Sequence, residues 1–90
     1  MPTEQQDRRE TGPEEQARRR ALIGAHVLRA LGQPDALHRV QVRHLWEDHY
    51  RVNVLVGADA AQAKVAHSYF LVVNPAGAIL TSTPTITRQY

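Results

Sequence analysis

The clearest indication of the fold is the stretch HRVQVRHLWEDHYRVNVLV, residues 38–56, because apolar and polar side chains alternate along it. Valine and aromatic residues fall mainly on even-numbered positions, while arginine, glutamine and asparagine fall on odd-numbered positions. Alternation with a period of two is typical of a strand that buries one face and solvates the other. The stretch therefore predicts an antiparallel hairpin whose even-numbered side chains point into a core.

The length of the turn sets which residues of this hairpin face each other. A three-residue loop over residues 47–49 pairs Trp46 with Tyr50 and Val42 with Val54, so every even position stays on one face. A two-residue loop would pair odd with even positions and would bury arginines. The sequence therefore predicts the three-residue loop.

The residues before the hairpin predict a polar tail and then one helix. Residues 1–12 are polar and predict a flexible tail, while residues 13–90 predict a single domain. Thr11 and Glu14 have the spacing of a capping box, which marks a helix start, and Gly32 with the proline that soon follows marks its end. At about 100° per residue, one face of this helix carries small and apolar residues. They are Ala17, Ala21, Gly24, Val27, Leu28 and Leu31.

Residues 65–73 and 78–87 predict two further strands, joined by a glycine-containing turn at 74–77. With the hairpin they form a sheet that the helix can cover on one side. The predicted fold is α+β, with one N-terminal helix packed on a four-stranded antiparallel β-meander. The residues predicted beneath the helix are Val40, Val42, Trp46, Tyr50, Val52, Val54, Phe70, Val72, Leu80 and Ile86.

One helix covers only one face of a sheet, so the second face is the most informative prediction. Its apolar residues would form an exposed patch, which is unusual for a monomer. We expect this face to self-associate and form a homodimer with two-fold symmetry. A different protein is a second candidate partner for it. The residues expected to carry self-association are Leu55, Val65, Tyr69, Leu71, Val73 and Ile79. The alternatives are that the N-terminal segment covers the face, that the strand register differs, or that a ligand binds there.

Arginines on the same face suggest another function, the binding of nucleic acid or another polyanion. Arg39, Arg43 and Arg51 line one side of the predicted hairpin. The chain has 11 Lys and Arg against 9 Asp and Glu, a net charge of +2, which is too small to predict nucleic-acid binding by itself. The sequence thus favours self-association over polyanion binding.

Nothing in the sequence predicts an enzyme. There is no cysteine, and the five histidines lack metal-binding spacings. No pattern predicts catalytic, cofactor-binding or metal-binding residues. The N-terminus does not read as a signal peptide and no apolar run is long enough to span a membrane, so a cytoplasmic protein without membrane contact is expected.

Three stretches resemble the PepSY and cystatin-like group of small helix-on-meander domains. They are ALIGAHVLRALGQPDALHRVQV (21–42), HYRVNVLV (49–56) and SYFLVVNPAGAIL (68–80). The resemblance implies the same fold and a non-enzymatic binding or regulatory role. It implies no functional residues.

Overall fold

A computed structural model of the chain describes residues 12–90. The elements are helix α1 (Pro13–Leu31) and strands β1 (Leu37–Trp46), β2 (His49–Val56), β3 (Lys64–Val73) and β4 (Ile79–Thr83). Each strand pairs antiparallel with the next one along the chain. The predicted α+β fold, one helix on a four-stranded meander, is confirmed. The predicted flexible tail lies outside the described residues, apart from Gly12.

Glycines stand at both ends of α1. Gly12 is the N-cap residue and offers no side-chain cap, while Thr11 of the predicted capping box lies outside the described residues. The predicted end is confirmed: Gly32 has φ +89°, and its amide donates to the Leu28 carbonyl over 2.7 Å. A Cβ at Gly32 would come within 2.7 Å of the Tyr90 carbonyl carbon, so glycine is needed here for space as well as conformation.

The C-terminal residues return to the helix end. The amides of Gln89 and Tyr90 both donate to the Leu31 carbonyl, over 2.8 and 3.1 Å. The Tyr90 hydroxyl forms a 2.9 Å hydrogen bond with Nε2 of His67. Ile86 packs against the core, as predicted, although it lies beyond the end of β4. The segment after β4 therefore ties the last turn of α1 to β3.

The core lies between α1 and one face of the sheet, which we call the covered face. Its buried residues are Ile23, Val27, Leu31, Tyr50, Val52, Val54, Tyr69, Leu71 and Val73. The predicted contributions of Val40 and Val42 are confirmed, since both pack against this cluster. Ala17 and Ala21 are exposed, so the buried stripe of the helix is centred on Ile23 and Val27 instead.

The first hairpin contains a bulge that the sequence pattern did not reveal. Trp46 pairs with His49 across a two-residue turn, and Leu45 has no partner in the ladder. The predicted three-residue loop is therefore wrong. Because Leu45 is unpaired, even-numbered residues of β1 again pair with even-numbered residues of β2. Val42 therefore pairs with Val52, and the arginines stay out of the core. The unpaired Leu45 also separates Trp46 from the covered face, and Trp46 is 52% exposed instead of buried as predicted.

The register between β2 and β3 reverses the predicted faces of the second half of β3. Tyr50 pairs with Leu71 and Val52 pairs with Tyr69, so Tyr69, Leu71 and Val73 join the core. Ala66 has no partner in this ladder, and Val65 before it stays on the opposite face. The prediction that Phe70 and Val72 lie beneath the helix is wrong, because paired residues share a face. The unpaired Ala66 changes which face the even-numbered residues of β3 occupy. Alternation within one strand therefore does not predict the faces of the next strand.

The last hairpin combines a confirmed turn with a further bulge. Asn74 Oδ1 accepts hydrogen bonds from the amides of Ala76 and Ala78, both over 3.0 Å, and Gly77 has φ +85°. Leu80 has no ladder partner, because Val73 pairs with Ile79 while Val72 pairs with Thr81. Leu80 is 60% exposed, so its predicted burial under the helix is wrong.

Candidate polyanion-binding face

The face of the sheet away from α1, which we call the open face, carries arginines together with polar and apolar side chains. None of its residues is fully buried. The cross-strand pairing places these residues on it: Arg39, Gln41, Arg43, Trp46, His49, Arg51, Asn53, Leu55, Val65, Ser68, Phe70, Val72, Thr81 and Thr83. The four strands contain no aspartate or glutamate. The open face therefore presents arginines without any carboxylate from the sheet.

The three predicted polyanion-binding arginines do share this face. Arg43 and Arg51 are direct cross-strand partners, and Arg39 lies on the same side of β1 as Arg43. Among residues 12–90, the single salt bridge joins Arg18 to Glu15 on the helix. Within that part of the chain, no carboxylate neutralises the open-face arginines.

A row of side-chain hydrogen bonds crosses the middle of the open face. Asn53 donates to Gln41 Oε1 over 3.1 Å, and the Ser68 hydroxyl donates to Asn53 Oδ1 over 2.7 Å. Arg51 reaches the same network through a 3.4 Å contact from its guanidinium to Ser68 Oγ. The row joins β1, β2 and β3 and holds Arg51 beside ordered polar groups.

An aromatic cluster lies next to the arginines. The ring of His49 stacks on Trp46 with 4.4 Å between centroids and 16° between planes. Phe70 lies 6.0 Å from Trp46 and 5.6 Å from His49, measured between ring centroids. The guanidinium carbon of Arg51 lies 5.9 Å from the Phe70 centroid, within the range of a cation–π contact. We call Trp46, His49 and Phe70 the aromatic cluster.

A groove at the outer edge of β1 is also lined by positively charged residues. It has a volume of about 250 Å³ and runs between the helix and the strand. Its two charged lining residues, Arg20 and Arg39, are both arginines. The positive surface thus extends from the open face around the edge of β1.

The residues predicted to carry self-association are divided between the two faces. Tyr69, Leu71 and Val73 are buried in the core, and Ile79 packs against it, so their predicted place on the uncovered face is wrong. The cause is the β2–β3 register. The two remaining residues, Leu55 and Val65, do lie on the open face.

Two histidines outside the aromatic cluster contact backbone carbonyl oxygens. Nδ1 of His26 lies 2.7 Å from the Gly77 carbonyl oxygen, and Nε2 of His44 lies 2.7 Å from the Glu47 carbonyl oxygen. In residues 12–90 no group of three or more histidine, cysteine, aspartate or glutamate residues is placed to hold a metal ion. In the same range, the helix is not long and apolar enough to cross a membrane.

Sequence reasoning found the arginines but missed the aromatic cluster. Trp46 and Phe70 were both predicted beneath the helix, because the Leu45 bulge and the β2–β3 register leave no mark in the alternation. One signal was available, namely the complete absence of acidic residues from the strands. Counting charges over the whole chain hides it, since the acids lie in the N-terminal region and in the connections.

Comparison with known proteins finds no matching protein family, no matching curated protein and no matching solved structure. The resemblance to PepSY and cystatin-like domains therefore stays a prediction.

Proposed function

We propose that this protein is a non-enzymatic binding module that holds a polyanion on its open face. The observation that carries the proposal is the separation of charge: Arg39, Arg43 and Arg51 share one face of a sheet whose strands contain no acidic residue. Guanidinium groups bind phosphate and carboxylate through planar pairs of hydrogen bonds, so an arginine surface fits such ligands well.

The position of Arg43 opposite Arg51 strengthens the argument. Like charges directly opposite each other in a sheet are unfavourable. An anion bound near these two arginines would offset the repulsion between their charges. The free protein thus carries an unfavourable pair that a ligand relieves.

Self-association was the function expected first from the sequence, and it stays a prediction with less support. Four of its six predicted residues belong to the helix-covered side of the molecule. A dimer through the open face would bring two sets of arginines together. Repulsion between these like charges would oppose the dimer, most strongly at low salt. A cytoplasmic location also stays a prediction.

The test is a titration with a polyanion at low and at high salt. Heparin is a suitable probe, because it offers negative charge without bases. The double variant Arg39→Gln/Arg43→Gln should weaken binding and lower the slope of log K against log salt, because fewer counterions are released when fewer charges are neutralised. Both arginines are exposed, so the fold should tolerate the change.

The matched control is Arg18→Gln/Arg29→Gln, which removes the same charge from exposed positions on the helix. It should leave most of the affinity and the salt slope in place. Equal losses in the two double variants would show a diffuse charge effect and would contradict a site on the open face. Sedimentation of the free protein in the same buffers would reveal a dimer if the face were closed by a second copy.

A further inference from the structure

The aromatic cluster narrows the class of polyanion, and this step rests on the proposed function. A purely electrostatic site needs no rings. Here Trp46, His49 and Phe70 lie beside Arg51 on the open face. Proteins that bind single-stranded nucleic acid combine a positive surface for the phosphates with aromatic rings on which bases stack.

The exposure of the rings suits stacking. Trp46 keeps 52% of its surface exposed although His49 stacks on one side of it at 4.4 Å. A large exposed aromatic ring leaves apolar surface in water, and a base stacked on it would cover that surface. The Nδ1 atom of His49 lies 3.2 Å from the Trp46 carbonyl oxygen, so the imidazole is held in place as part of the platform.

The pairing of the strands places the rings and the arginines in neighbouring rows. Arg43, Arg51 and Phe70 stand side by side across β1, β2 and β3. Trp46 and His49 form the adjacent row at the hairpin end. A strand of nucleic acid on this face can therefore meet phosphate-binding groups and a stacking surface at once.

We propose that the ligand of the open face is single-stranded nucleic acid, with its phosphates on Arg39, Arg43 and Arg51 and its bases stacked on Trp46 and Phe70. A duplex keeps its bases stacked on each other, so it cannot use the aromatic cluster in this way. The proposal thus predicts a preference for single strands over duplexes of equal charge.

Trp46 provides a direct signal, because it is the sole tryptophan of the chain. Stacking of a base on its ring should quench its fluorescence. The probes are an oligothymidylate and an oligouridylate of about ten nucleotides, an abasic strand of equal length, a duplex of equal charge, and heparin. The two single strands should quench the fluorescence, while the abasic strand and heparin should bind without quenching.

The variant Trp46→Ala should weaken binding of the single strands by roughly 5- to 150-fold, the range for loss of one stacked base. It should change heparin and abasic-strand binding by less than about twofold, since the phosphate contacts remain. Trp46→Phe should restore part of the lost affinity. Leu80→Ala serves as the control, because Leu80 is also well exposed but lies outside the aromatic cluster.

The outcomes distinguish binding of single-stranded nucleic acid from binding of polyanions in general. Equal binding of single strands, abasic strands and heparin, without quenching, would leave polyanion binding standing and overturn nucleic acid as the ligand. Tighter binding of the duplex would also overturn it. Failure of every probe to bind would overturn both proposals, and a preference for the uridylate over the thymidylate would assign the ligand as RNA.

Discussion

The two faces of the sheet differ in what their neighbouring residues contribute. Val52 and Leu71 on the covered face are fully buried and make no polar side-chain contact. On the open face, Asn53 and Ser68 are partly exposed to water and form a hydrogen bond with each other. They are the chain neighbours of Val52 and Tyr69. One face thus stabilises the fold by burying apolar surface, and the other presents chemistry to a ligand.

The alternation of apolar and polar residues predicts which side chains are buried only where one face of a strand is clearly polar. Both faces of β3 are apolar at its end, with Leu71 and Val73 on one side and Phe70 and Val72 on the other. Hydrophobicity alone does not determine which of these two faces of β3 is buried. The register between β3 and β2 determines it, because one face of β2 is clearly polar.

The largest expected effect comes from the variant Leu71→Ala. Leu71 is fully buried between the helix and the sheet, so its truncation should cost about 2 to 5 kcal/mol of unfolding free energy. Val72→Ala, on the open face next to it, should cost clearly less. Urea unfolding followed by circular dichroism measures both. Equal losses of unfolding free energy would contradict the assignment of Leu71 to the buried face and Val72 to the open face.

A smaller effect of opposite sign is expected from Gly24→Ala. Gly24 faces the sheet from the helix, and an added Cβ would lie 3.5 Å from Val40 Cγ1, an ordinary van der Waals distance. Alanine is favoured over glycine in a helix interior by about 1 kcal/mol. The variant should therefore be more stable by up to about 1 kcal/mol in the same urea experiment. A loss of stability would show that the helix sits closer to the covered face and needs the glycine.

The smallest effect appears only at high pH and concerns Tyr69 on the covered face. Burial, with a lesser contribution from Tyr90, raises the pKa of Tyr69 above its usual 10.0. A raised pKa means that the folded protein holds the phenolic proton more tightly than the unfolded chain. This contribution to stability is therefore complete below pH 10 and is lost as the pH rises towards the raised pKa.

Tyr69→Phe removes the titrating group and nearly keeps the shape. Its unfolding free energy should be close to that of the original protein at pH 7 and should exceed it increasingly above pH 10. Thermal unfolding at a series of pH values measures the difference. Parallel pH profiles for the two proteins would show that the Tyr69 ring is accessible to water.

The sequence predicted the elements of the fold because their signals are local. The end of α1 at Gly32 and the turn before Gly77 follow from backbone conformations that glycine adopts easily. The valines of β1 and β2 were assigned to the correct face, because polar residues alternate with them. What could not be predicted were the bulges at Leu45 and Leu80, since unpaired residues depend on how strands meet in space.

The candidate site was predicted in part for the same reason. Arg39, Arg43 and Arg51 lie in strands with clear alternation, so their common face followed from their numbering. The aromatic cluster joins the end of the first hairpin to β3, and its place beside the arginines needs the two-residue turn, the Leu45 bulge and the β2–β3 register. Neither is encoded in a short stretch of sequence.

Leu45 has a consequence for how such a surface could arise or vanish. If Leu45 entered the ladder opposite Tyr50 while the two-residue turn stayed, Arg43 would pair with Val52 and would share a face with the core valines of β2. The unpaired Leu45 therefore lets Trp46 and the arginines of β1 point to the same side of the sheet. A shortened protein that lacks Leu45 should keep all the other cross-strand pairs, because the ladder would then continue without interruption to the turn.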